Sequence, residues 1–152
     1  RLGVTKGSFY WHFPSRDALL QAALERWENV EQEALFGAVE KMPDPRERLR
    51  ALLQLVGHEV KPNIIYSELL KALDHPSVQP VIDRISQRRL DYLVAMFRQA
   101  GLQRIDATHR ARLTYAAYVG FLQLSLQLQQ PRMTSEEFET YLEHVISTLI
   151  PN

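Results

Sequence analysis

Cysteine is absent from this sequence of 152 residues. Its absence excludes disulfide bonds and cysteine-ligated metal sites, and it is typical of proteins from the reducing cytoplasm, where we expect this protein to be. Apolar runs of the roughly 20 residues that a membrane-spanning helix needs are also missing. The net charge is +0, with 18 basic and 18 acidic residues, and 45% of the residues are hydrophobic. This composition indicates a soluble globular protein without a membrane segment.

Sequence motifs that carry enzymatic chemistry are missing too. The five histidines are scattered, and none of them stands in a Glu-x-x-His or His-Glu-x-x-His spacing. The sequence has neither a glycine-rich phosphate loop nor a Gly-x-Ser-x-Gly turn. We therefore expect no catalytic residue, no metal ion and no cofactor, and the protein is not expected to be an enzyme.

Acidic residues are missing from residues 1–16, although the chain as a whole is neutral. Arg1, Lys6 and Arg16 give this segment a local charge of +3, and four aromatic residues stand between positions 9 and 13. Residues 17–40, in contrast, carry six acidic residues and one basic residue. A DNA duplex would be attracted to the first segment and repelled by the second.

The acid-free segment has the signals of one short helix over about residues 5–13. Gly3 permits a tight turn before the helix, Thr5 is a good N-cap, and Pro14 discourages continuation. Phe9 and Phe13 are four residues apart and share a face that we expect to be buried. A basic helix that leaves its other aromatic residues exposed suits the major groove of DNA. The alternative is an aromatic cluster in a helical core with solvated basic neighbours.

Residues 2–20, Leu-Gly-Val-Thr-Lys-Gly-Ser-Phe-Tyr-Trp-His-Phe-Pro-Ser-Arg-Asp-Ala-Leu-Leu, closely resemble the recognition-helix signature of the tetracycline-repressor (TetR) family of bacterial transcription regulators. Arg16 stands where that family usually has a lysine that contacts the DNA backbone. The resemblance implies eight DNA-binding residues: Thr5, Lys6, Gly7, Ser8, Tyr10, Trp11, His12 and Arg16. The family's first helix and most of its second have no counterpart here. We therefore expect an incomplete DNA-binding head, and a chain that binds operator DNA poorly by itself.

The rest of the sequence predicts an all-α fold, because its apolar residues recur at helical spacing. We expect six helices after the head: from Ser15 to about Lys41, from Asp44 to Pro62, about 64–74, about 78–101 with Pro80 in its first turn, and a pair at 106–130 and 134–150. Residues 1–16 would be a partial helix-turn-helix DNA-binding domain. Residues 17–152 would be a ligand-binding and dimerisation domain, with 15–41 as the linking helix.

Leucines alternate with polar residues over 122–128, which superficially indicates a strand. Glutamine favours helices and a long apolar run precedes this stretch, so we predict a helix with two apolar faces, one of them for a partner. Thr134 and Glu137 form a capping box at the start of the last helix. We expect a homodimer interface made by Ala117, Gly120, Phe121, Leu124, Leu128, Phe138, Leu142, Val145 and Leu149. The alternative is that both helices close the core of a monomer.

Polar or soft side chains interrupt several apolar helix faces, as they do in small-molecule pockets. The candidate ligand-binding residues are His58, Tyr66, Met96, Tyr115, Tyr118 and Gln123. For each of them the alternative is ordinary packing, and the expectation of one shared cavity rests mainly on the effector pocket that the family resemblance implies.

The sequence thus predicts a ligand-responsive DNA-binding transcription regulator, a repressor that a small molecule releases from its operator. Its expected partners are double-stranded operator DNA, a second copy of the chain and a small, largely apolar effector. The alternative is a helical small-molecule-binding or interaction module without a DNA role. The basic, acid-free, aromatic segment discriminates between them, because such a module has no need of it.

Overall fold

The computed structural model describes residues 14–130 and 132–150, apart from the side chains of Glu31 and Gln32. The described part of the chain is helical and contains no strand, which confirms the all-α prediction. None of its helices is long and apolar enough to cross a membrane. The elements are α1 (Arg16–Gly37), α2 (Pro45–His58), α3 (Val60–Lys71), α4 (Gln79–Gln99), α5 (Arg104–Leu122), a π-helical turn (Gln123–Gln127) and α6 (Ser135–Leu149).

Helix α1 begins and ends close to the predicted positions. Ser15 is its N-cap, and the Ser15 hydroxyl accepts a hydrogen bond from the Ala18 amide at 3.1 Å. The helix continues for 22 residues to Gly37, and a turn follows in place of the predicted last residues up to Lys41. At 1.5 Å per residue it is about 33 Å long.

Pro62 does not end a helix, as the sequence had led us to expect. Helix α2 starts as predicted, with Asp44 as N-cap and Pro45 as first residue, but it ends at His58. Helix α3 then begins at Val60, so Pro62 lies in its first turn. A proline is tolerated there because the first amides of a helix have no intrahelical partner to lose.

Helix α4 has both of its predicted ends. Pro80 lies in the first turn, and Gly101 follows the last turn with a positive φ of 104°. The Leu102 amide donates to the Phe97 carbonyl and the Gly101 amide to the Arg98 carbonyl, each at 3.1 Å. This pair of bonds is a Schellman motif, which fixes the direction of the chain as it enters α5.

The leucine-rich stretch after α5 is helical, as predicted, although its last part is a π-helical turn. Leu122 is buried, whereas Leu124, Leu126 and Leu128 remain at least 40% exposed. The predicted capping box opens α6: the Thr134 hydroxyl accepts from the Glu137 amide, and the Glu137 carboxylate accepts from the Thr134 amide.

The hydrophobic core forms two clusters, and α4 contributes to both. One cluster joins α2, α4, α5 and α6 around Phe97, and the other joins α1, α3, α4 and the end of α5 around Ile85. Both of these side chains are fully buried. Helix α4 is therefore the central element on which the others pack.

Two residues that we had assigned to a dimer interface, Leu142 and Leu149, lie instead inside the chain's own core. They are 8% and 5% exposed, and Ile146 between them, which we did not predict, is fully buried. Gly57 on α2 explains why α6 packs so closely: a Cβ atom at that position would meet a Leu142 methyl carbon at 3.0 Å. The buried face of α6 thus packs within the chain.

Candidate ligand-binding site

Two adjoining cavities lie between the helices, on either side of Arg89. The first, of about 100 Å³, is bounded by α1, α2, α4, α5 and α6 and has an almost wholly apolar wall. The second, of about 230 Å³, lies between α1, α2 and α3, next to α4 and α5. Four residues line both cavities: Leu35, Val56, Arg89 and Tyr118. A ligand at Arg89 could therefore extend into either space.

Three hydroxyl groups form a closed hydrogen-bonded ring beside the cavities. The Tyr66 hydroxyl bonds to that of Tyr115 and lies 3.3 Å from the Ser86 hydroxyl, which lies 2.9 Å from Tyr115. Three hydroxyls in a ring can each donate one hydrogen bond and accept another. Burial raises the pKa of Tyr66 well above its ordinary value of 10.0, so this phenol stays protonated at neutral pH.

Arg89 places a buried positive charge where the two cavities meet. The residue is 7% exposed, and its guanidinium carbon lies 4.4 Å from the centre of the Tyr66 ring and 5.6 Å from that of Tyr118. Cation–π contacts of this kind offset part of the cost of burying the charge. Among the described residues that line the first cavity, Arg89 is the one with a charged side chain.

Tyr92, one turn further along α4, lines the first cavity as well. Its hydroxyl is buried and has no hydrogen-bond partner in the part of the chain that the structure describes. Burial raises the pKa of Tyr92, which keeps the hydroxyl protonated as a donor. The Tyr118 hydroxyl, in contrast, donates to the Asn63 side-chain oxygen at 2.9 Å.

A buried carboxylate joins α1 to α4 close to the cavities. Glu28 is 5% exposed, and its two oxygens accept hydrogen bonds from Arg84 at 2.7 Å and from Arg88 at 3.3 Å. The preceding residue, Trp27, lines the second cavity and stacks on Tyr66, with 6.5 Å between ring centres. Helix α1 therefore forms one wall of the site, and the ion pairs of Glu28 hold it against α4.

Three of the six predicted ligand-binding residues come together here: Tyr66, Tyr115 and Tyr118, whose rings are 6.1–6.3 Å apart in two adjacent pairs. Tyr115 and Tyr118 line a cavity, whereas Tyr66 packs behind them and lines neither. The other three predicted residues are also outside the cavity linings. Met96 is in the core cluster, where its sulfur lies 3.5 Å from Arg48; Gln123 begins the π-helical turn; and His58 is paired with Glu139 at the surface.

Sequence reasoning missed Arg89 and Tyr92. A signal for Arg89 was present, because it stands in the buried register of α4 between Ile85 and Leu93, each four residues away. A charged residue on such a face is either paired or functional. For Tyr92 the sequence offers no comparable signal, because tertiary packing decides whether a buried hydroxyl has a hydrogen-bond partner.

The remaining predicted interface residues divide into two groups. Ala117, Phe121, Phe138 and Val145 line the first cavity. Leu124 and Leu128 are 46% and 65% exposed, and Gly120 has open space around it. The exposed apolar surface continues on Leu113 of α5 and Tyr141 of α6, whose ring stacks on Phe121 at 5.4 Å.

Of the predicted DNA-binding residues, Arg16 is exposed as the first residue of α1. Thr5, Lys6, Gly7, Ser8, Tyr10, Trp11 and His12 lie outside the described residues. Within the described ranges, no three histidine, aspartate or glutamate side chains come together as metal ligands.

Comparisons with known proteins agree with the sequence resemblance. Residues 1–23 match the family model of bacterial regulatory proteins of the tetR family. The fold is similar to the crystal structure of a protein described as a TetR-family transcriptional regulator from Rhodococcus sp., with a TM-score of 0.70 and 18% identity. The similarity covers 98% of this chain and 82% of the other. A search of curated proteins finds no similar sequence.

The His58–Glu139 pair makes stability depend on pH. The Gln54 carbonyl, 2.7 Å from Nδ1, and the Glu139 carboxylate, 2.8 Å from Nε2, raise the pKa of His58 above its ordinary value of 6.5. Both nitrogens can donate only in the imidazolium. The resulting stability is fully present below the unfolded-state pKa and is lost as pH rises through the folded-state pKa. Because both side chains are about half exposed, we expect about 0.5 kcal/mol at most.

An NMR titration of His58 should give a pKa above 6.5 in the unaltered chain. Glu139→Gln should lower it, whereas Glu143→Gln, one turn along the same helix, should leave it unchanged. A His58 pKa at or below 6.5, or one insensitive to Glu139→Gln, would contradict this assignment.

Proposed function

We propose that the chain is a member of the tetR family of bacterial regulatory proteins, and that it is a repressor that a small molecule releases from its operator. As a member of this family it would be a DNA-binding transcription regulator and not an enzyme. The observation that carries the proposal is the position of α1. The matched segment 1–23 includes the first turns of this helix, and the helix forms a wall of both cavities.

We assign DNA binding to residues 1–16 and ligand binding and dimerisation to residues 17–152. Lys6, Tyr10, His12 and Arg16 would contact the operator, with the cationic side chains on phosphates. Arg16 supports this assignment, because it is exposed at the end of α1 that adjoins the segment. In a two-fold dimer, two such segments would meet half-sites about 34 Å apart, which is one turn of the duplex.

A ligand in the cavities would act on DNA binding through α1. Trp27 and Leu35 belong to α1 and line the cavities, so a ligand that enlarges either space must move this helix. Neither cavity reaches the ~300 Å³ at which typical ligand pockets begin, so most ligands would require such a movement. Ligand and operator would then favour different positions of α1 and weaken each other's binding.

The dimer that we propose uses the exposed apolar faces of α5, the π-helical turn and α6. Leu113 and Leu124 are 57% and 46% exposed, and Ala116 and Gly120 between them are small enough for a partner helix to approach closely. Tyr141 extends this face onto α6. A two-fold axis would bring the same face of both chains together.

Operator binding tests the proposed DNA contacts. In the full-length natural protein, Lys6→Ala and Arg16→Ala should each weaken binding to a palindromic operator from the protein's own promoter. Each should also reduce the salt slope by about one unit, because one phosphate contact is lost. Arg26→Ala is the matched control, since Arg26 is exposed on α1 about 15 Å further from the DNA. Affinity and salt slope that stay unchanged in both test variants would refute the contacts.

Sedimentation equilibrium tests the proposed dimer. Leu124→Glu should shift the chain from dimer to monomer at micromolar concentration, because each of the two copies would bury an unpaired carboxylate in the interface. Val60→Glu is the control, since Val60 is 68% exposed on α3, away from this face, and should leave the dimer intact. An unaltered chain that sediments as a monomer, or a Leu124→Glu variant that remains a dimer, would overturn the interface.

A further inference from the structure

The two cavities reach the surface of the chain in different places. The second cavity is open between α1 and the start of α3, where five of its lining residues are exposed: Val30, Ala34, Glu59, Lys61 and Ile65. Of the described residues that line the first cavity, Tyr141 on α6 is the one that is exposed, at 37%. A molecule in solvent can therefore approach from two sides, between α1 and α3 or beside Tyr141.

The proposed dimer would cover the approach beside Tyr141. The ring of Tyr141 stacks on Phe121, which also lines the first cavity, and it extends the face that we assigned to the partner subunit. A partner chain packed on this face leaves no room for a solute to pass, because the centre of an interface is packed as densely as a protein interior. The mouth of the second cavity is formed by other helices and would stay open in the dimer.

We propose that the effector enters through this mouth, between Val30 of α1 and Ile65 of α3, and passes through the second cavity into the first. This inference rests on the proposed function, because it takes the ligand site and the dimer as given. Val30 and Ile65 are 56% and 42% exposed, so the rim of the mouth is partly apolar. Such a rim favours the transfer of a largely apolar molecule out of water.

The passage between the cavities is held by hydrogen bonds on one side. The Asn63 side-chain amide donates to the Val56 carbonyl, and its oxygen accepts from the Tyr118 hydroxyl, each at 2.9 Å. These bonds join the first turn of α3 to the last turn of α2 and to α5.

Helix α1 forms the other side of the passage with apolar side chains. Val30 and Ala34 lie at the mouth, and Leu35 lines both cavities. Apolar contacts are not directional, whereas a hydrogen bond is lost when its partners separate. A molecule that passes is therefore expected to displace α1 rather than α3, and α1 is the helix through which we propose that the ligand acts on DNA binding.

A cysteine reporter measures entry without a known effector, because the sequence contains no cysteine. Val56→Cys places one thiol, on a side chain of similar size, in the wall that both cavities share. Its modification by N-ethylmaleimide is followed by mass spectrometry, at a protein concentration at which sedimentation shows the dimer. We expect the rate in the folded chain to exceed the rate that global unfolding allows, which follows from the free energy of unfolding.

Bulky substitutions at the mouth should slow this reaction. In the Val56→Cys background, Val30→Trp and Ile65→Trp should each lower the rate about tenfold, which is within the range over which association rates vary among variants of one site. Val60→Trp is the matched control: Val60 is 68% exposed on the same helix as Ile65 but lines neither cavity, so the rate should stay unchanged. Circular dichroism verifies that each variant is folded.

Tyr141→Ala tests the other approach. In the dimer it should leave the rate unchanged, because the partner covers this side. In the monomer that Leu124→Glu is expected to produce, the same substitution should raise the rate, because the opening is then free to solvent.

The entrance would be overturned if Val30→Trp and Ile65→Trp both left the rate unchanged, or if Tyr141→Ala raised it in the dimer. A thiol that reacts no faster than unfolding allows would also overturn it. These results concern the route alone, and the proposed operator contacts and effector response keep their own tests. An unaltered chain that sediments as a monomer would instead overturn the proposed dimer, and the inference with it, before any reporter is used.

Discussion

The buried carboxylate of Glu28 fixes the position of α1, and both the shape of the cavities and the proposed coupling to DNA depend on that position. It lies between Arg84 and Arg88 of α4, at 2.7 and 3.3 Å, and only 5% of the residue is exposed. Without these two cations a carboxylate in this position would be costly, so the pairing permits essentially one register of α1 on α4. That register sets Trp27 against Tyr66 and makes α1 a wall of the cavities. The ion pairs of Glu28 thus lie between the proposed DNA-binding segment and the proposed ligand site.

Helix α4 supports this arrangement from the other side. Its buried residues belong to both core clusters, and the Schellman motif at Gly101 directs the chain into α5, which packs along it. Two turns of this central helix thus carry both groups of arginines. Arg84 and Arg88 bind Glu28, and Arg89 lines the cavities. A ligand in the proposed site would act next to the contact that holds α1. The short distance between the two gives the proposed coupling a direct physical route.

Much of the fold could be predicted from the sequence, because its helix ends have local causes. Each of four helix ends is marked by a residue with the side chain or the backbone conformation that a helix cap requires: Ser15, Asp44, Thr134 with Glu137, and Gly101. Pro62 misled us because a proline suits the end of one helix and the first turn of the next equally well. The site was harder to predict, since Arg89, Tyr92 and the burial of Leu142 against Gly57 depend on tertiary packing.

Thermodynamic coupling between ligand and operator decides whether α1 links the two proposed sites. In the full-length protein, the operator Kd is measured with and without a saturating concentration of the small molecule that raises the melting temperature most, and the Kd of that molecule with and without operator. Each ligand should raise the Kd of the other by the same factor, of about 5–150. Glu28→Gln should bring that factor close to one, whereas Glu33→Gln, exposed on α1, should retain it. A factor of one in the unaltered protein, or the same factor in Glu28→Gln, would contradict the account.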